Sequence, residues 1–340
     1  MCGKRGLKEL LKAKAIGYRA LNVIRRTKLV KVMGVFDKSI YLGFGRRYLV
    51  SMVENMDYMT PYSILLEVDK SFKSLGVRSD TSVELKSSAL VFDAGTLTVG
   101  LEKASIWTPP SYSLSRKSIK GVSQIGLNLR ILRDAIYTCP SREGLVPLLE
   151  EVEKKGPLKL FLEDRDATES TLSHRARPAV EAFMWGLFCG STSLVLDKAS
   201  VLIGLGPGLT PSCDDFLAGL MLSLLIGGKA IFGRKSTELS FYGKVATLVS
   251  RLARGKTNVY GESLLIQAKS GEGPKVVIDL IHSILTGKPS EVASLSRSVL
   301  NIGETSGADI ATGIFYGIRF LLSKLEHLEV QRIDEFYRET

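Results

Sequence analysis

Residues 201–219 contain the residue types and spacing best suited to chemistry. A short apolar run leads into alternating glycines, and a helix-like sequence that opens with hydroxyl and carboxyl side chains follows. Glycines let backbone N–H groups approach a ligand closely, and a helix N-terminus adds unpaired donors and a positive partial charge. The pattern predicts a strand, a loop that binds a phosphate or carboxylate, and a helix. Its candidate binding residues are Gly204, Gly206, Gly208, Thr210 and Ser212.

The glycine spacing separates this loop from the common phosphate-binding motifs. No Gly-Lys-Ser/Thr closes it as in a P-loop, and G-x-G-x-G differs from the dinucleotide pattern G-x-G-x-x-G. The chain also lacks the G-x-S-x-G pattern of a serine nucleophile. Cys213 follows the loop, but two adjacent aspartates should raise the pKa of its thiol, which argues against a thiolate nucleophile.

The end of this stretch recurs about 94 residues later. Ser-x-x-Asp-Phe-x-x-Gly-Leu, beginning at Ser212, matches Ser-x-x-Asp-Ile-x-x-Gly-Ile, beginning at Ser306, at every named spacing. One interpretation is a pair of capping boxes, in which each serine caps a helix and each acid lies three residues later. The alternative is that the two helix starts face each other and share one ligand.

Under the second interpretation, the acids of both copies converge on a substrate or on a metal ion such as Mg²⁺. Adjacent acids repel a phosphate, so an anion site would need Mg²⁺ or an arginine beside them. Asp214, Asp215 and Asp309 are therefore candidate catalytic residues and metal ligands, and Thr305 and Ser306 join the candidate substrate-binding residues.

Two further polar clusters precede predicted helices. Arg175 and Arg177 suit bidentate recognition of a carboxylate or phosphate, although a solvated helix entry explains them equally. The cluster that begins at Thr257 and Asn258 is attributed mainly to helix capping. The three histidines are far apart in sequence, which gives little support to a histidine metal site.

The net charge of +11 on 340 residues lies entirely in residues 1–50, which hold 13 Lys/Arg against Glu9 and Asp37. This distribution predicts a basic arm on a neutral body, with an amphipathic basic helix over residues 5–26. We expect the arm to dock an acidic partner subunit, whereas nucleic-acid binding is not favoured. The four scattered cysteines, and the absence of a signal sequence or an apolar span of about 18 residues, predict a cytoplasmic protein.

Element patterning predicts an α+β fold: an N-terminal antiparallel sheet or barrel, then a mainly helical domain with a few short strands. The predicted domains are a basic helix (1–27), a β-rich domain (28–115) and a helical domain (116–340). Strands are expected at 28–36, 39–43, 47–53, 62–67, 82–86, 88–93, 96–101, 103–107, 158–162, 193–196 and 200–203. Helices are expected at 123–138, 143–155, 176–189, 213–226, 237–254, 260–269, 274–285, 290–300 and 308–327.

At residues 201–220, supported by residues 303–314, the sequence resembles a family long described as a domain of unknown function. That family is now linked to the AllH subunit of oxamate carbamoyltransferase. The resemblance rests on Gly-Leu-Gly-Pro-Gly-Leu-Thr-Pro-Ser-x-Asp-Asp from Gly204 and on Thr-Ser-Gly-Ala-Asp from Thr305. It implies a role with oxamate, carbamoyl phosphate or oxalurate, and separate partner subunits. Two positions depart from the expected pattern: Cys213 replaces the usual glycine, and Glu304 adds a negative charge.

Three functions are therefore open. The first is a subunit of a carbamoyltransferase-like enzyme that binds a small anionic metabolite, with the arginines neutralising its charge. The second is a metal-dependent hydrolase with an Asp-lined site. The third is a non-catalytic subunit that binds a metabolite and assembles with a partner.

Overall fold

The computed structural model describes residues 9–27, 30–45, 48–93, 96–110, 112, 114, 117–139, 144–149 and 172–339. The chain divides into two compact units, residues 1–111 with 273–275, and residues 112–272 with 276–340. The predicted α+β class is confirmed, because strands dominate the first unit and helices the second. Among the helices of the described ranges, none is long and apolar enough to cross a membrane.

The first unit is a sheet that closes on itself. Its strand order is β5-β4-β3-β2-β6-β7-β8-β1-β9, and β1 also pairs with β5. The first half of β1 pairs with β8 and its second half with β5, so eight strands form a barrel and β9 extends one edge. The strands are β1 (Glu9–Gly17), β2 (Val30–Val35), β3 (Ser39–Phe44), β4 (Tyr48–Val53), β5 (Ser63–Leu66), β6 (Ser82–Lys86), β7 (Ala89–Phe92), β8 (Leu97–Gly100) and β9 (Ser105–Trp107).

Period-two burial explains why these segments are strands. In β3 every second side chain is fully buried: Ile40, Leu42 and Phe44 point into the barrel, while the residues between them are half-buried. Each strand predicted between residues 28 and 107 has a counterpart within two residues at either end. Short 3-10 helices at Met56–Tyr58 and Phe72–Leu75 lie in the connections.

The predicted basic helix over residues 5–26 is wrong in its first half. Residues 9–17 form β1, and only α1 (Tyr18–Arg26) is helical. Between residues 12 and 15, exposed lysines alternate with buried alanines, which is a strand period that the helical spacing of the leucines concealed. Barrel closure uses both edges of β1, so tertiary pairing decided its conformation.

The second unit consists, in its described part, of helices. The predicted helix at 143–155 and strand at 158–162 lie wholly or largely outside the described residues. The helices are α2 (Val122–Tyr137), α3 (Leu172–Phe188), α4 (Thr192–Leu202), α5 (Ser212–Ile231), α6 (Thr237–Leu252), α7 (Val259–Ala268), α8 (Lys275–Thr286), α9 (Pro289–Leu300) and α10 (Ser306–Glu339).

The strands predicted at 193–196 and 200–203 are wrong, because helix α4 spans nearly all of both. Ser191 caps this helix by accepting a hydrogen bond from the backbone N–H of Leu194 at 3.4 Å. Its buried residues, Val195, Ala199 and Leu202, follow a spacing of four and three. The two short apolar runs therefore belong to one amphipathic helix. A short apolar run fits a buried strand and a buried helix segment equally well, so the runs alone do not distinguish the two.

Helices α5 and α10 form the centre of the second unit. Their backbones touch through glycines: a Cβ on Gly219 would overlap the carbonyl oxygen of Ile310, and a Cβ on Gly313 would overlap that of Phe216. Further along, a Cβ on Gly317 would meet Ser223 of α5, so contacts advance along both helices in the same order. The helices are therefore parallel, and their N-termini lie side by side. Small residues permit such close packing.

Candidate functional site

The glycine loop, residues 204–210, connects helices α4 and α5. The strand predicted before the loop is therefore wrong. Its three glycines have φ angles of +80°, +113° and +105°, in a region that side-chain-bearing residues rarely adopt. Space is also short: a Cβ on Gly204 would lie 2.5 Å from the carbonyl oxygen of Lys256, and one on Gly206 would lie 3.0 Å from the backbone nitrogen of Ser212. Both conformation and packing therefore require glycine.

The tip of the loop, residues 207–209, is exposed. Within the described residues, the backbone N–H groups of Gly206 and Gly208 donate to no protein acceptor. The loop therefore presents backbone donors beside the N-termini of α5 and α10, whose helix dipoles add positive partial charge. This arrangement can bind an anion.

Asp214 links the glycine loop to the segment that precedes α7. Its carboxylate accepts hydrogen bonds from the backbone N–H of Gly204, at 2.9 Å, and from the hydroxyl of Thr257. Burial raises the pKa of Asp214, and these two hydrogen bonds oppose the rise. Both oxygens are engaged, so this predicted catalytic residue holds the loop in place.

Asp215 is the centre of a hydroxyl network between the two helices. Thr210 donates its hydroxyl proton to the carboxylate at 2.7 Å, and the Thr210 and Ser306 hydroxyl oxygens are 3.1 Å apart. Burial raises the pKa of Asp215 well above its usual value, while Thr210 and Ser306 lower it. The network joins the glycine loop directly to the start of α10.

Asp309 is fully buried beside the other helix start. Its Oδ1 accepts a hydrogen bond from the backbone N–H of Leu145 at 2.7 Å, and Gly144 lies against it, where a Cβ would be 2.5 Å away. Burial raises the pKa of Asp309 to about 7. Ser212 is close enough to lower this pKa, yet Asp309 Oδ2 and Ser212 Oγ have no partner in normal hydrogen-bond geometry among the described residues.

The two Ser-x-x-Asp copies are thus paired crosswise. The serine of each copy lies close enough to the aspartate of the other copy to lower its pKa: Ser306 lowers that of Asp215, and Ser212 that of Asp309. The capping-box interpretation is wrong for the first copy, since Pro211 precedes α5 and no side chain caps that helix. The alternative, that the two helix starts meet, is confirmed by the 3.1 Å contact between Thr210 and Ser306.

Arg175 lies on the face of α3 that meets the loop. Leu172, one turn earlier, contacts Gly206, and the Arg175 charge lowers the pKa of the Cys213 thiol. Burial, Asp309 and Asp214 raise that pKa further than Arg175 lowers it. The predicted direction is confirmed, but burial is the largest cause, and the acids that contribute are Asp309 and Asp214 in place of the adjacent pair Asp214 and Asp215. Arg177 is half-buried, and a separation of two residues turns it away from the face of Arg175.

The Mg²⁺ hypothesis finds no ligand set here. Among the described residues, no group of three or more His, Cys, Asp or Glu side chains is arranged to hold a metal ion. Protein donors occupy both oxygens of Asp214, one oxygen of Asp215 and one oxygen of Asp309.

The cluster at Thr257 and Asn258, which the sequence attributes mainly to helix capping, also contacts the glycine loop and Asp214. Asn258 does cap α7, accepting from the N–H groups of Tyr260 and Gly261 at 3.0 Å each, but its amide also donates to the carbonyl of Leu209 at 2.8 Å. A Thr-Asn pair before a helix was the available signal. The contact of Leu145 with Asp309 had no clear signal, because 164 residues separate the two.

Two family models match the chain. The model for the oxamate carbamoyltransferase subunit AllH matches residues 202–318, and the model for the AllH family N-terminal domain matches residues 11–106. Together they cover more than half of the chain, including the barrel and the two helix starts. No solved structure matches the chain.

Proposed function

Because the chain belongs to the AllH family, we propose that it is a subunit of an oxamate carbamoyltransferase-type enzyme and binds a small anionic metabolite at the glycine loop. The expected ligands are oxamate, carbamoyl phosphate and oxalurate, and each carries a carboxylate or phosphate group. Backbone N–H groups and helix N-termini suit such groups, because they stabilise negative charge without a permanent cation.

The observation that carries this proposal is that the backbone N–H groups of Gly206 and Gly208 find no acceptor in the described part of the chain and lie beside two parallel helix N-termini. The nearby carboxyls do not forbid an anion. Asp214 and Asp215 accept hydrogen bonds from the surrounding chain, and Asp309 is partly protonated near neutral pH, since its pKa is about 7. All three carboxyl groups are buried, whereas the tip of the loop is exposed. The exposed Arg175 supplies a compensating positive charge.

The proposal assigns roles to the candidate residues. Gly206 and Gly208 donate to the anion, and Arg175 neutralises it. Thr210 gives its only proton to Asp215, so it shapes the site and does not donate to the ligand. Thr305 and Ser306, half-buried at the start of α10, border the same space. Carbamoyl transfer depends mainly on such positioning and charge stabilisation.

Ligand titration tests this function. We expect oxamate or carbamoyl phosphate to raise the melting temperature of the chain, alone or co-purified with its partner subunits. Arg175→Gln should weaken binding about tenfold or more, as expected for a lost charged hydrogen bond. Arg234→Gln, which removes an exposed charge from the turn before α6, should leave affinity unchanged. The proposal fails if neither compound binds under either condition, and Arg175 has no role if both variants bind equally.

We also propose that residues 1–8 dock an acidic partner subunit, because most of the other basic residues of the predicted arm belong to α1 and the barrel. Lys4, Arg5 and Lys8 lie outside the described residues, whereas residues 9–17 are a barrel strand. A deletion of residues 1–26 would therefore open the barrel, so the informative deletion is residues 1–8. Co-purification of a partner with the full chain, lost on this shorter deletion at unchanged barrel stability, supports docking. Retention of the partner contradicts it.

A further inference from the structure

We propose that Thr257 and Asn258 are positioning residues that hold both ends of the glycine loop, an inference that rests on the binding role proposed for that loop. The segment 256–258 precedes α7 and is distant from the loop in sequence. It meets the loop at the Gly204 end and again at the Leu209 end. The loop residues between these two points carry the unpartnered N–H groups.

The first attachment is indirect and runs through Asp214. The Thr257 hydroxyl donates to one oxygen of this carboxylate, and the Gly204 N–H donates to the other at 2.9 Å. Gly261 makes room for the arrangement, since a Cβ there would overlap the same carboxylate. Gly204 also packs directly against the carbonyl of Lys256, where a Cβ would be 2.5 Å away. The Gly204 end is thus fixed by hydrogen bonds and by backbone packing.

The second attachment uses the Asn258 side chain, whose carbonyl oxygen and amide nitrogen have different partners. The Asn258 carbonyl oxygen accepts from the first N–H groups of α7, at 3.0 Å each, which is ordinary helix capping. Its amide nitrogen donates to the carbonyl of Leu209 at 2.8 Å. Serine, threonine or aspartate could cap the helix equally well, but these side chains lack the amide donor. The contact with Leu209 is therefore what asparagine adds at this position.

Fixing both ends affects ligand binding because a loop that is already ordered loses less conformational entropy when an anion is bound. Three glycines within five residues would otherwise make the loop unusually mobile. The two attachments offset that freedom without using the N–H groups of Gly206 and Gly208. Thr257 and Asn258 do not themselves need to touch the ligand.

The Asn258→Ser variant separates positioning from capping, because serine keeps the cap, loses the amide donor to Leu209 and adds no charge beside the loop. We expect a melting temperature near that of wild type, lower NMR order parameters for the Gly206 and Gly208 amides, and about three- to tenfold weaker oxamate or carbamoyl phosphate binding. Thr257→Val should act in the same direction, and Thr257→Ser should restore wild-type behaviour. As a control, Ser236→Ala removes the cap of α6 and should lower stability without changing the loop or affinity.

The outcomes for the inference and for the proposed function are distinct. If wild type binds neither compound, the proposed function fails, and the order parameters still decide whether Thr257 and Asn258 hold the loop. If wild type binds and Asn258→Ser binds equally well with unchanged order parameters, the positioning role is wrong. Weaker binding with lower order parameters, at unchanged stability, supports it.

Discussion

The substitution Gly313→Ala tests whether close packing of α5 and α10 builds the site. The added Cβ would overlap the Phe216 carbonyl oxygen and lie 2.9 Å from the Leu220 nitrogen, so two backbones must separate. Overpacking costs about 1–3 kcal/mol, and the upper part of this range, about 2–3 kcal/mol, applies here because rotating a side chain cannot relieve an overlap between two backbones. Alanine returns about 1 kcal/mol through its better helix propensity. We expect a net loss of stability of about 1–2 kcal/mol, or more if the helix starts also separate.

Gly243→Ala provides the matched control. Gly243 also lies within a helix, α6, but nothing is within 4 Å of a Cβ placed there. This variant should gain about 0.5–1 kcal/mol, because only the propensity difference remains. The two Gly→Ala changes should therefore have opposite signs.

Urea unfolding followed by tryptophan fluorescence measures both variants. The chain has two tryptophans, Trp107 in the first unit and Trp185 in the second, so a Trp107→Phe background leaves one reporter in the unit of interest. The packing argument is refuted if Gly313→Ala is as stable as its parent, or if it gains stability like Gly243→Ala.

Two other predictions follow from burial and close contact. Burial raises the Asp309 pKa from 3.8 to about 7, so the folded state binds this proton more tightly, and its contribution to stability falls as pH rises from about 4 to about 7. Asp309→Asn should reduce that pH dependence; denaturation midpoints measured from about pH 5 to about pH 8 test this, and parallel curves for the two proteins would contradict it. Gly17→Ala should destabilise the barrel by about 1–3 kcal/mol, because its Cβ would overlap the Pro61 carbonyl. Trp107 fluorescence in a Trp185→Phe background reports this loss, and an unchanged midpoint would show that the contact yields without cost.

Local pattern predicted much of the fold, and tertiary pairing explains where it failed. The alternating burial of β3 follows directly from its sequence. The lysines and leucines before Gly17 fit a helical period as well as a strand period, and pairing within the closed barrel makes this segment a strand. Each of the two apolar runs in α4 spans only about one helical turn, which is too short to show a helical period, and Ser191 is the capping residue that marks the helix start. For β1 the deciding interactions are strand pairings that are distant in sequence, and for α4 the helical period appears only over a segment longer than either short run.

The candidate site was predictable where the sequence repeats itself. Two Ser-x-x-Asp copies suggested that two helix starts meet, but their crosswise pairing depends on the parallel packing of α5 and α10. The roles of Asp214 and Asn258 as loop attachments depend on contacts with residues 43 and 49 positions away in sequence. No local pattern contains such contacts, so capping appeared to be a sufficient explanation.

The central claim is that the unpartnered N–H groups of the glycine loop bind an anion. Proton–nitrogen NMR of the isotope-labelled chain, with its partner subunits present where binding requires them, observes these groups directly during titration with oxamate or carbamoyl phosphate. The account predicts saturable shifts of the Gly206 and Gly208 amides, larger than those of Gly233 and Gly255 in other turns of the same unit. Saturable binding that leaves the Gly206 and Gly208 amides unmoved would contradict it.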